Sequence, residues 1–248
     1  MSDYYDVETD DSLRPEINEV GIEIIGPPQK FQDLKNDYLK LLDFMGKNGA
    51  YTNDSCGLHV NISLLNYDIT KLDYVKLIIF LGDNYVLKNF DRMSNTYTAS
   101  SMDSFSKTMD PGRALMALDA LKTNLNTRAG FFLSNNVTSK YSSVNIKRDR
   151  VEFRAPGGNW MEKDPEFIFG IIARMIFALH IALDNTLYQK QYASRLYRVI
   201  HDSTNSENNN ATTLFSMYSA GLIGKDEIRR SLEKRREARA ASQSGSLD

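Results

Sequence analysis

Residues 56–64, CGLHVNISL, place His59, Asn61 and Ser63 at every second position, with Leu58, Val60, Ile62 and Leu64 between them. A strand written this way has one apolar face and one face carrying an imidazole, an amide and a hydroxyl. RVEFRAPGG, residues 150–158, repeats the design: Glu152 and Arg154 share one face, Val151 and Phe153 the other. In GIEII, residues 21–25, Glu23 interrupts an otherwise apolar strand. Three expected strands thus each put a charged or metal-competent side chain where plain sheet packing favours a neutral one. If those faces point the same way, His59, Asn61, Glu152, Arg154 and Glu23 line one surface. Two glutamates and an imidazole make a mixed oxygen and nitrogen site for a divalent cation such as Mg2+ or Mn2+. An arginine beside that cation is a bidentate clamp for a phosphoryl group or a carboxylate. Together they neutralise charge on a transferring phosphoryl group.

Each residue also has a plainer reading. A single histidine on a strand is often a structural residue held by its neighbours. An E-x-R pair on one strand face is often a surface ion pair worth under about 1 kcal/mol. Cys56 stands three positions from His59, so a strand turns the two to opposite faces, against a nucleophile–base pair. His180 lies in an apolar helical stretch and reads as packed. His201, near a polar linker, reads as solvated.

The elements that must position these residues follow from periodicity and punctuation. Residues 1–18 are acidic with little periodicity. VGIEIIGPP, 20–28, is a short β-rich run stopped by Pro27 and Pro28. Residues 31–49 carry Phe31, Leu34, Tyr38, Leu41, Leu42 and Met45 at helical spacing, with Gly46 and Gly49 to end the helix. A helix is expected over 68–90 with Asp68 or Thr70 as cap, a polar loop over 92–110, and a second helix over 111–125. Residues 141–156 read as a hairpin with Lys147–Asp149 at the turn. A long helical pattern runs over 165–200 from Asp164-Pro165. The order suggests α+β, with helices on one side of an antiparallel sheet.

Bulk properties narrow the class. The 248 residues suffice for one large domain or two small ones, and 42% apolar with 25% charged residues is the balance of a globular protein. The net charge of -2 gives no global sign of nucleic-acid binding. Cys56 is the only cysteine, so no internal disulfide forms, and a cytoplasmic setting is expected. The acidic start is not a signal peptide, and the apolar stretch 168–183, broken by Arg174 and His180, is not expected to span a membrane. NSENNNATT, 205–213, reads as a linker. It leads to a charged helix whose segment 225–240 holds seven Lys/Arg and four Asp/Glu, a solvated helix or coiled-coil partner by preference.

The motifs, in order, resemble one family. GIEIIGPP, then CGLHVNIS, then Arg92 near NTY, then KYSSVNI and VEFRAPGG are similar to the signature runs of the amidoligases. These are ATP-dependent carboxylate–amine ligases that share the catalytic sheet of glutamine synthetase and the glutamate–cysteine ligases. The resemblance covers about residues 10–180. It implies a curved antiparallel sheet backed by helices on one face, over 1–204, followed by the linker and a C-terminal segment, 214–248. It implies that His59 and Glu152 hold a catalytic Mg2+ bridging ATP phosphates, and that Glu23 binds a further metal or the incoming amine. Arg154 would hold the γ-phosphate or the acyl phosphate. Asn61 stands where many members have a second histidine and would hydrogen-bond substrate. Arg92 and Asn145 match recurring polar positions on the nucleotide side. DDSLRP, 10–15, looks like the family's D-G-S-L stretch. One departure stands out: members open with a G-x-E-x-E strand, and nothing before residue 10 reads as that strand.

The expected activity is amide or isopeptide bond formation through an acyl phosphate. Its substrates would be a carboxylate and an amine on an amino acid, peptide or protein. The alternative is a structural or interaction protein that keeps the fold without the chemistry. A partner chain supplying the missing strand and a homo-oligomer are both compatible with the family. Richness in Asn, Asp, Lys and Tyr is compatible with a phage source, and hence with host cytoplasm or a virion.

Overall fold

The computed structural model describes residues 5–65, 68–108 and 141–203, with scattered positions between 113 and 123 and between 224 and 237. Among these are two small antiparallel sheets and six α-helices, an α+β arrangement. The first sheet pairs β1 (Asp6–Thr9) with β2 (Ile22–Ile25). The second has the order β3–β5–β4, from β3 (Val60–Ile62), β4 (Val144–Ile146) and β5 (Val151–Phe153). The described residues fall into two compact units, one drawn from 1–69, 81–102 and 137–177, the other from 70–80, 103–136 and 178–248.

The first unit carries both sheets. Period-two alternation sets the three-stranded sheet, and its apolar face is the one the sequence marks. Val144, Val151 and Phe153 are fully inaccessible and Ile62 nearly so. Each such side chain contributes roughly 1.5–3 kcal/mol on burial. Helix α1 (Phe31–Lys47) ends where expected, with Gly49 in a left-handed conformation at φ 70. Its Tyr38 ring packs on Trp160 and Phe169, at 6.1 and 5.5 Å between centroids.

In the second unit, Asp73 starts α2 (Tyr74–Leu81). Its Oδ1 accepts the Lys76 N–H at 3.0 Å, as an N-cap does, and also the hydroxyl of fully buried Tyr192 at 3.1 Å. The cap is therefore Asp73, not Asp68, which precedes a short 3-10 turn at Ile69–Lys71, nor Thr70, which lies within it. The buried Lys76 ammonium donates to the Asp184 carbonyl at 2.7 Å, and burial lowers its pKa to about 8.

Several expected elements are divided or added. The helix expected over 68–90 breaks at Gly82, whose φ of 63 no β-carbon favours, into α2 and α3 (Asp83–Asn89). The polar stretch 92–110 holds α4 (Ser101–Thr108). Its first N–H groups are capped from a distance by the Asp83 carboxylate, a signal no local window carries. The pattern over 165–200 splits into α5 (Pro165–Leu183) and α6 (Gln189–Ser203). The split falls where Asp184 Oδ1 takes the Thr186 N–H and hydroxyl and Tyr188 adopts φ 53. Most of the helix expected over 111–125, the linker 205–213 and most of the C-terminal helix lie outside the described residues.

A strand does precede residue 10. β1 is exposed on both faces, so no hydrophobic alternation announces it, and it is defined by its ladder to β2. It carries one glutamate, Glu8, directly opposite Glu23. Among the described helices α5, at 19 residues and mean hydropathy 1.9, is long and apolar enough to cross a membrane, and half of its apolar window is buried in the protein.

Candidate active site

The polar face of the three-stranded sheet is built from single rungs. Asn61, Glu152 and Asn145 are register partners across β3, β5 and β4. Their side chains therefore share one face, opposite half-buried Val60 and fully buried Phe153 and Val144. Asn145 Nδ2 donates to Glu152 Oε2 at 3.2 Å. Lys147, two residues past Asn145 and just beyond the end of β4, brings its ammonium to the same oxygen at 3.2 Å. Arg154, two residues along β5, places Nη1 3.5 Å from Glu152 Oε1. Asn61 Oδ1 accepts from Arg150 Nε at 3.0 Å.

Beyond this rung the pairing slips. Val60 pairs with Phe153, yet Gly57 bridges Gly157, four steps on β5 against three on β3. One extra residue is thus taken up over Arg154, Ala155 and Pro156, a bulge that re-aims the strand. Arg92 holds it. Its backbone N–H closes the turn after α3 on the Leu87 carbonyl, and its Nη1 donates to the carbonyls of Pro156 at 2.6 Å and Arg154 at 3.4 Å. Arg92 is 2% exposed. Its guanidinium has no carboxylate partner among the described residues, and both Arg92 Nε and Arg154 Nε are buried without an acceptor. Burial first, and then Arg154, lower the Arg92 pKa to about 10.

Two glycines make room for this arrangement. A β-carbon on Gly157 would lie 1.8 Å from Arg92 Nη1, and one on Gly57 would lie 2.7 Å from His59 Nε2. The His59 imidazole therefore folds back over Gly57. Its ring keeps an open surface but is crowded by protein, which lowers its pKa to about 4. Arg154 and Arg92 act in the same sense, and Glu152 and Asp10 oppose them. His59 is thus a neutral donor–acceptor at ordinary pH. For Glu152, burial pushes the pKa up, but the Lys147 hydrogen bond and the charges of Arg154, Lys147 and His59 outweigh it, and the carboxyl is held below its ordinary value.

The sheet face therefore gathers Asn61, Asn145, Glu152 and Arg154, with Arg92 behind the bulge, and the charges of Arg154 and Glu152 act on the His59 ring. Glu23 stands in the two-stranded sheet, exposed on β2 opposite Glu8. Lys147, Arg150, Gly57 and Gly157 complete the site and were not singled out in the sequence. Lys147 continues the Asn145 face by the period-two rule, although its place in a KRD turn hides it.

The donor set does not fit a resident divalent cation. Both Glu152 oxygens are engaged by cationic or amide donors. Among the described residues no group of three or more His, Cys, Asp or Glu gathers as a metal cage would. Metal sites of this hard type want several anionic oxygens.

Compared with known proteins, residues 2–165 match the family model of the amidoligase enzymes. The chain belongs to the amidoligase family. No curated protein and no solved structure matches it. The matched amidoligase span takes in β1 to β5 and every residue of the polar sheet face.

Proposed function

We propose that this amidoligase joins a carboxylate to an amine at the expense of ATP, on the polar face of the β3–β5–β4 sheet. The observation that carries the reading is the single rung Asn61–Glu152–Asn145 with Arg154 beside it, inside the family match. In this proposal the sheet is of the glutamine synthetase type, curved and backed by helices on one face.

The reaction has two steps. A substrate carboxylate oxygen attacks the γ-phosphorus of ATP, which arrives as its magnesium complex; the bond to the β-phosphate oxygen breaks and ADP leaves. The amine nitrogen then attacks the acyl carbon of the acyl phosphate, loses a proton, and phosphate departs, leaving an amide. Arg154 contributes a planar cation against the negative charge that develops on the phosphoryl oxygens. Glu152 aims Arg154 and Lys147. His59, neutral, offers a hydrogen bond without adding a charge that would repel an approaching ammonium. Asn61 and Asn145 offer amides to bound substrate.

Purified protein should release ADP only when a carboxylate donor and an amine are both present. Arg154→Gln should lower that rate by about 100-fold, the scale of losing one donor aimed at developing charge. Glu152→Gln should abolish it, and unchanged turnover in Glu152→Gln removes the proposal.

A further inference from the structure

We infer that the sheet face centred on Glu152 binds an oxyanion, phosphate or carboxylate, directly through Lys147 and Arg154, with no divalent cation held by the protein. The inference shares its face with the ligase reading, but binding is read without turnover, so either can fail alone.

Lys147 and Arg154 bracket one carboxylate, at 3.2 and 3.5 Å from its two oxygens. Arg92 adds a third cation from behind the bulge, buried and without an acid of its own among the described residues. Two cations therefore stand directly against Glu152, with Arg92 one step behind on the Arg154 and Pro156 carbonyls. Such a face attracts anions and repels metal ions.

Geometry agrees. A 3.5 Å separation is long for a charge-assisted bond, so Arg154 is not saturated by Glu152 and keeps donors for a ligand. Its fork matches the paired oxygens of a phosphate or carboxylate. The Lys147 ammonium has three donors, and Glu152 takes one. The Lys147 backbone is fixed, its N–H closing the β4–β5 turn on the Arg150 carbonyl at 2.9 Å.

The test is isothermal calorimetry on the full chain in EDTA, with tripolyphosphate in one arm and glutarate in the other, and with Mn2+ alone followed by electron paramagnetic resonance in a third. One of the two oxyanions should bind in EDTA, and the arm that binds names the source. Affinity should fall at least tenfold in Lys147→Met and in Arg154→Met, with the fold checked by circular dichroism. Glu152→Gln should hold or strengthen oxyanion binding, because it removes a repelling charge. Weakening in Glu152→Gln, oxyanion binding that requires Mn2+, stoichiometric Mn2+ binding lost in Glu152→Gln, or no oxyanion binding in EDTA would each overturn the inference.

Discussion

Gly157→Ala should be among the most damaging small substitutions in the chain. The new methyl carbon would stand 1.8 Å from Arg92 Nη1 and 2.6 Å from the Cys56 carbonyl oxygen. The first contact expels the guanidinium from the Pro156 and Arg154 carbonyls, a loss of roughly 1.5–3 kcal/mol for hydrogen bonds from a charged donor. The second is with backbone, which cannot rotate away, so the β3–β5 pairing at Gly57 and Gly157 must open, at roughly 1–3 kcal/mol. About 2.5–6 kcal/mol in all is a large share of a domain's usual 5–15. Equilibrium urea unfolding reads this as a lower midpoint at unchanged slope. Combining Gly157→Ala with Arg92→Ala removes the first contact but not the second, so the double variant should be at least about 1 kcal/mol better than additive. A cost under about 1 kcal/mol for Gly157→Ala, or strict additivity with Arg92→Ala, refutes the claim that Arg92 is seated against Gly157.

Gly57→Ala meets only the end of the His59 ring, which can swing aside. Its cost should stay below about 1 kcal/mol, while NMR titration should show the His59 pKa moving from about 4 back toward 6.5. The fully buried Asp83 accepts from Ser101 N at 2.6 Å, Met102 N at 3.2 Å and Ser143 Oγ at 2.5 Å. Asp83→Ala leaves the Met102 N–H without its acceptor and the Ser101 N–H with only Ser143 Oγ, and it should cost about 3 kcal/mol by thermal unfolding; a change within about 0.5 kcal/mol, roughly a neutral surface substitution, contradicts the cap. His59 binds its proton more tightly in the unfolded chain, where 6.5 applies. Its contribution is therefore complete above 6.5 and is lost as the pH falls toward about 4, so stability should decline over that window and decline less in His59→Gln. Glu152, held below its ordinary 4.5, extends the loss to lower pH with the same sign.

The strands that matter were legible because alternation is a local signal. Asn61, Glu152 and Asn145 fall on the face that period two assigns them, since the strands bury Ile62, Val151, Phe153 and Val144 on the other. Helix α1 was legible from its apolar stripe and terminal glycines. What escaped depends on contacts distant in sequence. α4 is capped by Asp83 from 18 residues away, and β1 exists through its ladder to β2. The bulge at Arg154–Pro156 is secured by Arg92, 62 residues from Arg154. Lys147 was read as a turn residue because a sequence shows spacing but not where a long side chain reaches back. Glu23 stands on a strand paired with β1, in the two-stranded sheet. A strand's face is knowable from its residues, but which sheet the strand joins is not.

The most direct test of the central claim follows oxygen. A carboxylate donor that supports ADP release is labelled with 18O in its carboxylate, and the phosphate released is examined by 31P NMR. Joining through an acyl phosphate predicts one labelled oxygen in each phosphate formed, in step with ADP. ADP release with unlabelled phosphate would contradict it.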